Sequence, residues 1–206
     1  MTKLLVVRAH PLTGETSRSM QVADKFVEAY AAKNHFDKIE ELSLYTSFIP
    51  EVDLDILNAW GALANGANFE TLSQEQQDKV SRFNELTQLF LDADKVVIAN
   101  PLWNLNVPTR LKAWIDTVNV AGKTFKYTAE GPVGLVTDKK VLHIQASGGV
   151  YEGNDPASQY LKMIFNFIGV TDYHQIFVEG MDHDPDLAPQ IMAKGFEQAQ
   201  TLAETF

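Results

Sequence analysis

The chain has 206 residues, no cysteine, 45% apolar residues, and a formal charge of −10 from 17 basic and 27 acidic side chains. Those numbers exclude disulfides, thiolate metal sites and a cysteine nucleophile, and they argue against a general nucleic-acid surface, which needs an excess of Lys and Arg. No apolar run reaches the roughly 20 residues of a membrane-spanning helix, and the N-terminal run is too short for a secretory signal. A cytoplasmic protein with a single domain over residues 1–206 is therefore expected.

The first apolar run, LLVV at 4–7, predicts a strand buried on both faces. A polar turn follows, and Thr16, Ser17, Arg18 and Ser19 lead into a helix over 17–33, with Met20, Ala23, Phe26, Val27 and Tyr30 on one face. IEELSL at 39–44 alternates more and reads as an edge or second strand. Residues 45–70, rich in Gly, Asn and Ala with Trp60 and Phe69, form an excursion too long for a plain strand-to-helix link. It is expected to pack on a neighbouring subunit or to cover a pocket. A helix over 73–93 presents Val80, Phe83, Leu86, Leu89 and Phe90, and Ser73 with Gln76 makes a capping box. VVIAN at 96–100 is the next strand. A helix over 108–121 follows, with Pro108 in its first turn and Gly122 as its stop. VLHIQA at 141–146 and HQIFVEG at 174–180 are two more strands, and helices over 156–168 and 186–204 complete the chain. This alternation predicts an α/β fold: a doubly wound five-stranded parallel sheet of order 2-1-3-4-5 with helices on both faces.

Ligands of such sheets bind beyond the carboxyl ends of the strands. Three loops leave those ends. The first runs into a helix N-terminus, where free N–H groups and the helix dipole favour an anion. Ser17 and Ser19 add hydroxyl donors there and Arg18 adds a positive charge. The loop has no GK[ST] ending and no G-x-G-x-x-G, so a single phosphate is favoured over a pyrophosphate. The second loop, Pro101-Leu102-Trp103-Asn104-Leu105-Asn106-Val107-Pro108, offers backbone donors and acceptors to a ring edge, with Trp103 and Leu105 near the ring face. The third carries Gly148-Gly149, which permits close backbone approach and a positive φ. Together they suit a flat heteroaromatic ring with a phosphate tail, for which flavin mononucleotide (FMN) is the natural candidate.

AHP at 9–11, TSRSM at 16–20, PLWNLNVP at 101–108, AGKTFKYTAEGPVGL at 121–135, SGGVY at 147–151 and IFVEG at 176–180 together resemble the FMN-dependent NADH azoreductases, a family of flavodoxin-like quinone and azo-dye reductases. The resemblance runs from the first strand to the last. It implies FMN held by His10, Ser17, Arg18 and Ser19 at the phosphate and first loop, by Pro101, Leu102, Trp103, Asn104 and Leu105 along the ring, and by Ala146, Ser147, Gly148 and Gly149 at its other edge. It also implies a homodimer with an active site at each interface. Two positions depart from the family pattern: 105, often Phe, is Leu here, and 147, often Arg, is Ser.

The chemistry expected is a ping-pong cycle in which NADH or NADPH, and then a quinone or azo compound, use one stacking slot. The flavin carries the redox step and no side chain is a secure acid or base. Phe125, Tyr127 and Tyr151 are the candidates to shape the substrate slot. His143 reads as a core histidine. Asp182, His183, Asp184 and Asp186 read as an acidic turn into a helix, so no metal site is expected. The competing reading is a flavodoxin-type electron carrier without substrate turnover, against which the 45–70 excursion and the 121–135 loop stand as features a minimal carrier does not need. A dimeric flavin- or quinone-binding regulator is a third.

Overall fold

The computed structural model describes all of residues 1–206. In chain order it contains β1 (Lys3–Arg8), α1 (Arg18–Lys33), β2 (Lys38–Ser43), α2 (Leu54–Ala64), α3 (Gln74–Asp92), β3 (Lys95–Pro101), α4 (Thr109–Val118), β4 (Phe125–Thr128), β5 (Gly131–Gly134), β6 (Lys140–Ala146), α5 (Pro156–Phe167), β7 (Asp172–Val178) and α6 (Ala188–Ala203). Short 3-10 turns occupy Phe69–Thr71 and Pro185–Leu187.

Five strands form one parallel sheet in the order β2-β1-β3-β6-β7, which is the predicted 2-1-3-4-5 arrangement. Their near-continuous apolar runs are explained by burial on both sides. Leu5, Val7, Val96, Ile98 and Val141 face Leu86, Phe90, Leu111, Trp114 and Phe165, which come from α3, α4 and α5. Leu4, Val6, Val97, Ala99, Leu142 and Ile144 face Phe26, Tyr30, Ala199 and Ala203, which come from α1 and α6. Alternation at period two sends neighbours in one strand to opposite layers.

Two segments carry structure that propensity did not indicate. The excursion contains α2, whose N-cap Asp53 accepts from the Ile56 amide, and Trp60 packs edge-on against Phe83 of α3 at 5.0 Å between ring centroids. Residues 125–134 form an antiparallel hairpin, β4 with β5. Its second strand, Gly-Pro-Val-Gly, has a composition that disfavours strands. The predicted capping box is present: Ser73 accepts from the Gln76 amide while the Gln76 side chain accepts from the Ser73 amide. Pro108 stands one position earlier than expected, as the N-cap of α4.

Candidate active site at the carboxyl ends of the strands

Pro101, Ala146 and Val178 stand abreast in the sheet register, so β3, β6 and β7 release their loops at one edge. The sheet order reverses between β1 and β3, which opens a crevice there. A cavity of about 370 Å³ occupies it. Its lining includes His10, Thr16, Ser17, Arg18, Ser19, Pro101, Leu102, Trp103, Ala146, Ser147 and Gly148, together with Leu12 and Asp182, which are not among the residues the sequence reading assigns to it. The volume lies in the range of small-molecule sites, roughly 300–1,000 Å³. The first, second and third loops therefore meet in one pocket.

At the first loop, Ser17 is the N-cap of α1 by position, with extended backbone, yet its side chain makes no capping bond. Its hydroxyl lies 3.4 Å from that of Ser19, and both residues are buried. The first helical bond runs from the Gln21 N–H to the Ser17 carbonyl, which leaves the N–H groups of Arg18, Ser19 and Met20 without helical acceptors. Donors that a capping side chain would have consumed are thus free for an anion. Arg18 donates to Asp182 Oδ1 at 2.9 Å. His10 accepts the Leu12 N–H on Nδ1 at 2.9 Å, which places its proton on Nε2. Burial holds its pKa below the ordinary value, so the ring is neutral at pH 7.

The second loop is a two-residue turn. Trp103 and Asn106 exchange both backbone hydrogen bonds, at 3.0 and 3.1 Å, around Asn104 and Leu105 at φ 50° and 62°. Asn tolerates the left-handed region, but Leu there costs about 1–2 kcal/mol. Such strain persists where surrounding structure enforces it, commonly at functional sites. Trp103 is not core filler: it is 41% exposed and stands between His10 and Tyr45, at 5.4 and 6.5 Å between centroids. The core tryptophan is Trp114. The Leu102 N–H donates to the Ala146 carbonyl at 2.8 Å, which ties the second loop to the third.

At the third loop the glycine pair lacks the expected positive φ but does bring other groups close to its backbone. Neither Gly148 nor Gly149 has a positive φ; Glu152 and Gly153 do. A Cβ on Gly148 would lie 2.1 Å from the Asp182 carboxylate and would displace that side chain, whereas one on Gly149 would lie 3.0 Å from the Tyr151 ring, a tight contact that a small shift of the ring relieves. Tyr151 is held by its amide, which donates to Glu179 at 3.0 Å. Ser147 turns its hydroxyl to the Gly149 carbonyl and its N–H to the Val178 carbonyl. With the Trp103 and Ser147 amides engaged, those of Asn104, Leu105, Gly148 and Gly149 remain without acceptors in the chain. These are the groups available to a ring edge. Asn104 itself lines a second cavity of about 620 Å³ on the far flank of the turn, with Trp103, Lys112 and Tyr160.

Beneath the pocket lies a buried polar row. Asn100 donates to the Pro101 carbonyl at 3.0 Å and to Gln145 Oε1 at 3.4 Å. Gln145 donates to Asp155, which also caps α5. The Asn100 carbonyl oxygen is left for His143 Nε2, at 2.9 Å, so Nε2 is protonated and the buried Nδ1 has no partner. Full burial holds the His143 pKa down to about 4.

Phe125 and Tyr127 are not brought to this pocket. The hairpin is anchored at the opposite end of the helices: Thr124 donates to the Val118 carbonyl at the end of α4, and the Val136 N–H donates to the Ile168 carbonyl after α5. Phe125 is buried against Phe167, and Tyr127 is 74% exposed.

A family described as having a flavodoxin-like fold matches residues 2–203. Proteins named FMN-dependent NADH:quinone oxidoreductase from Streptococcus suis and Bacillus pumilus are 46% and 47% identical, each over the whole of both chains. Among solved structures, an azoreductase from Bacillus anthracis is 38% identical with a TM-score of 0.91 over both full chains. An FMN-dependent NADH-azoreductase from the same species, solved with FMN, is 35% identical with a TM-score of 0.89, covering 98% of this chain and all of the other. The sheet order, the pocket where the three loops meet beyond its carboxyl ends and these full-length likenesses agree: the chain belongs to the flavodoxin-like family of FMN-dependent NADH:quinone oxidoreductases and azoreductases.

Proposed function

We propose that this chain binds FMN and uses NADH or NADPH to reduce quinones and azo compounds by two-electron, ping-pong transfer, as a cytoplasmic homodimer. The observation that carries the reading is the convergence in one cavity of an uncapped helix start, Ser17 to Ser19, with Pro101 to Trp103 of the second loop and Ala146 to Gly148 of the third, where the Gly148 amide is free. A phosphorylated flat ring needs both at once. Ser17, Ser19, Arg18 and the first amides of α1 would hold the phosphate. Leu102, Trp103, Ala146 and the free amides of Asn104, Leu105, Gly148 and Gly149 would hold the ring. Bound flavin supplies the hydride and electron chemistry. The chain binds it, orients it and stabilises negative charge at its rim through those N–H donors, by the logic of an oxyanion hole.

The two substrates take turns in one slot, bounded by the Trp103–Asn106 turn and Tyr151. Tyr127 is remote from the pocket of its own chain and exposed, so a second copy is what delivers it. Phe125, edge-on to Tyr127 at 5.4 Å, braces it from the core. Exposed apolar residues on α2, Leu54 and Leu57, and on the hairpin, Val133, supply further contact surface.

The test is a spectrum followed by kinetics. Purified protein should show the absorbance of bound oxidised flavin and should oxidise NADH steadily with a quinone, only when FMN is present. Flavin binding without turnover on any quinone or azo acceptor would return the carrier reading or the regulator reading.

A further inference from the structure

Asp182 lies in the turn after β7, 164 residues from Arg18, yet it lines the pocket and takes the Arg18 guanidinium at 2.9 Å. Its N–H donates to the Gly148 carbonyl at 3.2 Å, and its side chain occupies the space a Cβ on Gly148 would need. The acidic turn is thereby strapped across the phosphate end. Arg18 and Asp182 are the only Lys, Arg, Asp or Glu side chains among the lining residues, and His10 is neutral. The lining therefore has no net charge, although the ligand class argued above carries a phosphate of charge about −1.5 to −2. Both partners are substantially exposed, so their mutual attraction is weak and can be exchanged for a stronger one.

We propose that Asp182 is an exchangeable counter-anion: it holds the Arg18 guanidinium at the pocket mouth and yields it to the phosphate, so that its charge limits how tightly a phosphorylated flavin is retained. The inference rests on the FMN reading. Asp182 then acts selectively. A flavin with a phosphate must displace the carboxylate from Arg18 and remain near its negative charge, whereas riboflavin leaves the ion pair intact. The carboxylate lowers affinity only for the charged ligand and leaves the neutral one untouched.

The experiment is fluorescence titration of wild-type and Asp182→Asn apoprotein with FMN and with riboflavin. Asn preserves the shape and the backbone bond to Gly148. The expected result is FMN affinity higher by about fivefold in D182N, unchanged riboflavin affinity, and an FMN gain that shrinks as salt screens the site. The gain should shrink in the background of Arg18→Gln, where only direct repulsion between the carboxylate and the phosphate is left, and the double-variant cycle isolates the share that passes through the pair. FMN binding that weakens in D182N makes Asp182 an orienting residue and overturns the proposal. So does unchanged FMN affinity, or an equal gain for riboflavin. Wild-type protein that binds no FMN fails the functional reading itself, and this inference with it.

Discussion

The two most distinctive segments of the chain, the PLWNLNVP loop and the GKTFKYT–GPVGL hairpin, lie at opposite ends of the molecule. The loop follows a strand, β3, and so emerges at the carboxyl edge of the sheet beside the first and third loops. The hairpin follows a helix, α4, and so emerges where the helices end. In a doubly wound fold, what precedes a segment decides which end it occupies. Similar sequence distinctiveness thus has two causes: one segment forms the pocket, while the other seals the core through Phe125 and presents Tyr127 outward.

The largest effect that would sharpen this contrast is Phe125→Ala. It should cost about 3–5 kcal/mol of stability as a buried aromatic truncation and leave FMN affinity of the folded protein unchanged, as urea unfolding and flavin titration would measure. A change in FMN affinity with stability intact would break the contrast. The converse variant, Ser17→Ala with Ser19→Ala, should weaken FMN binding by about a hundredfold, since each hydrogen bond to a charged group contributes about 1.5–3 kcal/mol. Stability should change little.

A third effect concerns the polar row under the pocket. His143 has a folded pKa of about 4 against an ordinary 6.5. Above pH 6.5 neither folded nor unfolded state binds its proton, and its contribution to stability is complete. As pH falls from 6.5 to about 4 the unfolded chain takes up the proton first, and about 3 kcal/mol is lost. His143→Leu should flatten that part of the stability–pH curve; an unaltered slope would assign it to other groups. The smallest effect is Leu105→Gly. Relief of the left-handed strain, partly offset by the greater freedom of glycine in the unfolded chain, should raise stability by less than about 1 kcal/mol.

The fold was largely legible in the sequence because its signals are local. Four apolar runs of four to seven residues marked buried strands, and residues three and four apart marked helix faces such as Val80, Phe83 and Leu86. The hairpin was not legible, since Gly131 and Pro132 argue against a strand and pairing with β4 overrides them. Helix α2 was hidden by residues that leave Leu54 and Leu57 exposed, which blurs its apolar face. The phosphate end of the site was readable from Ser17, Arg18 and Ser19, which adjoin in sequence. Asp182 was not, because its meaning depends on an ion pair that only the folded chain brings together. Nor did the sequence reveal that Gly148 is required by the Asp182 side chain, with no positive φ involved.

One mouth is proposed to grip a flat ring by its rim and its phosphate together. Parallel titration of the apoprotein with FMN and riboflavin tests it most directly. Both should bind at one site, and FMN should bind tighter by at least about tenfold, a difference that Ser17→Ala with Ser19→Ala sharply reduces. Equal affinity for the two flavins, or a preference for FMN left unchanged by loss of both hydroxyls, would contradict that grip.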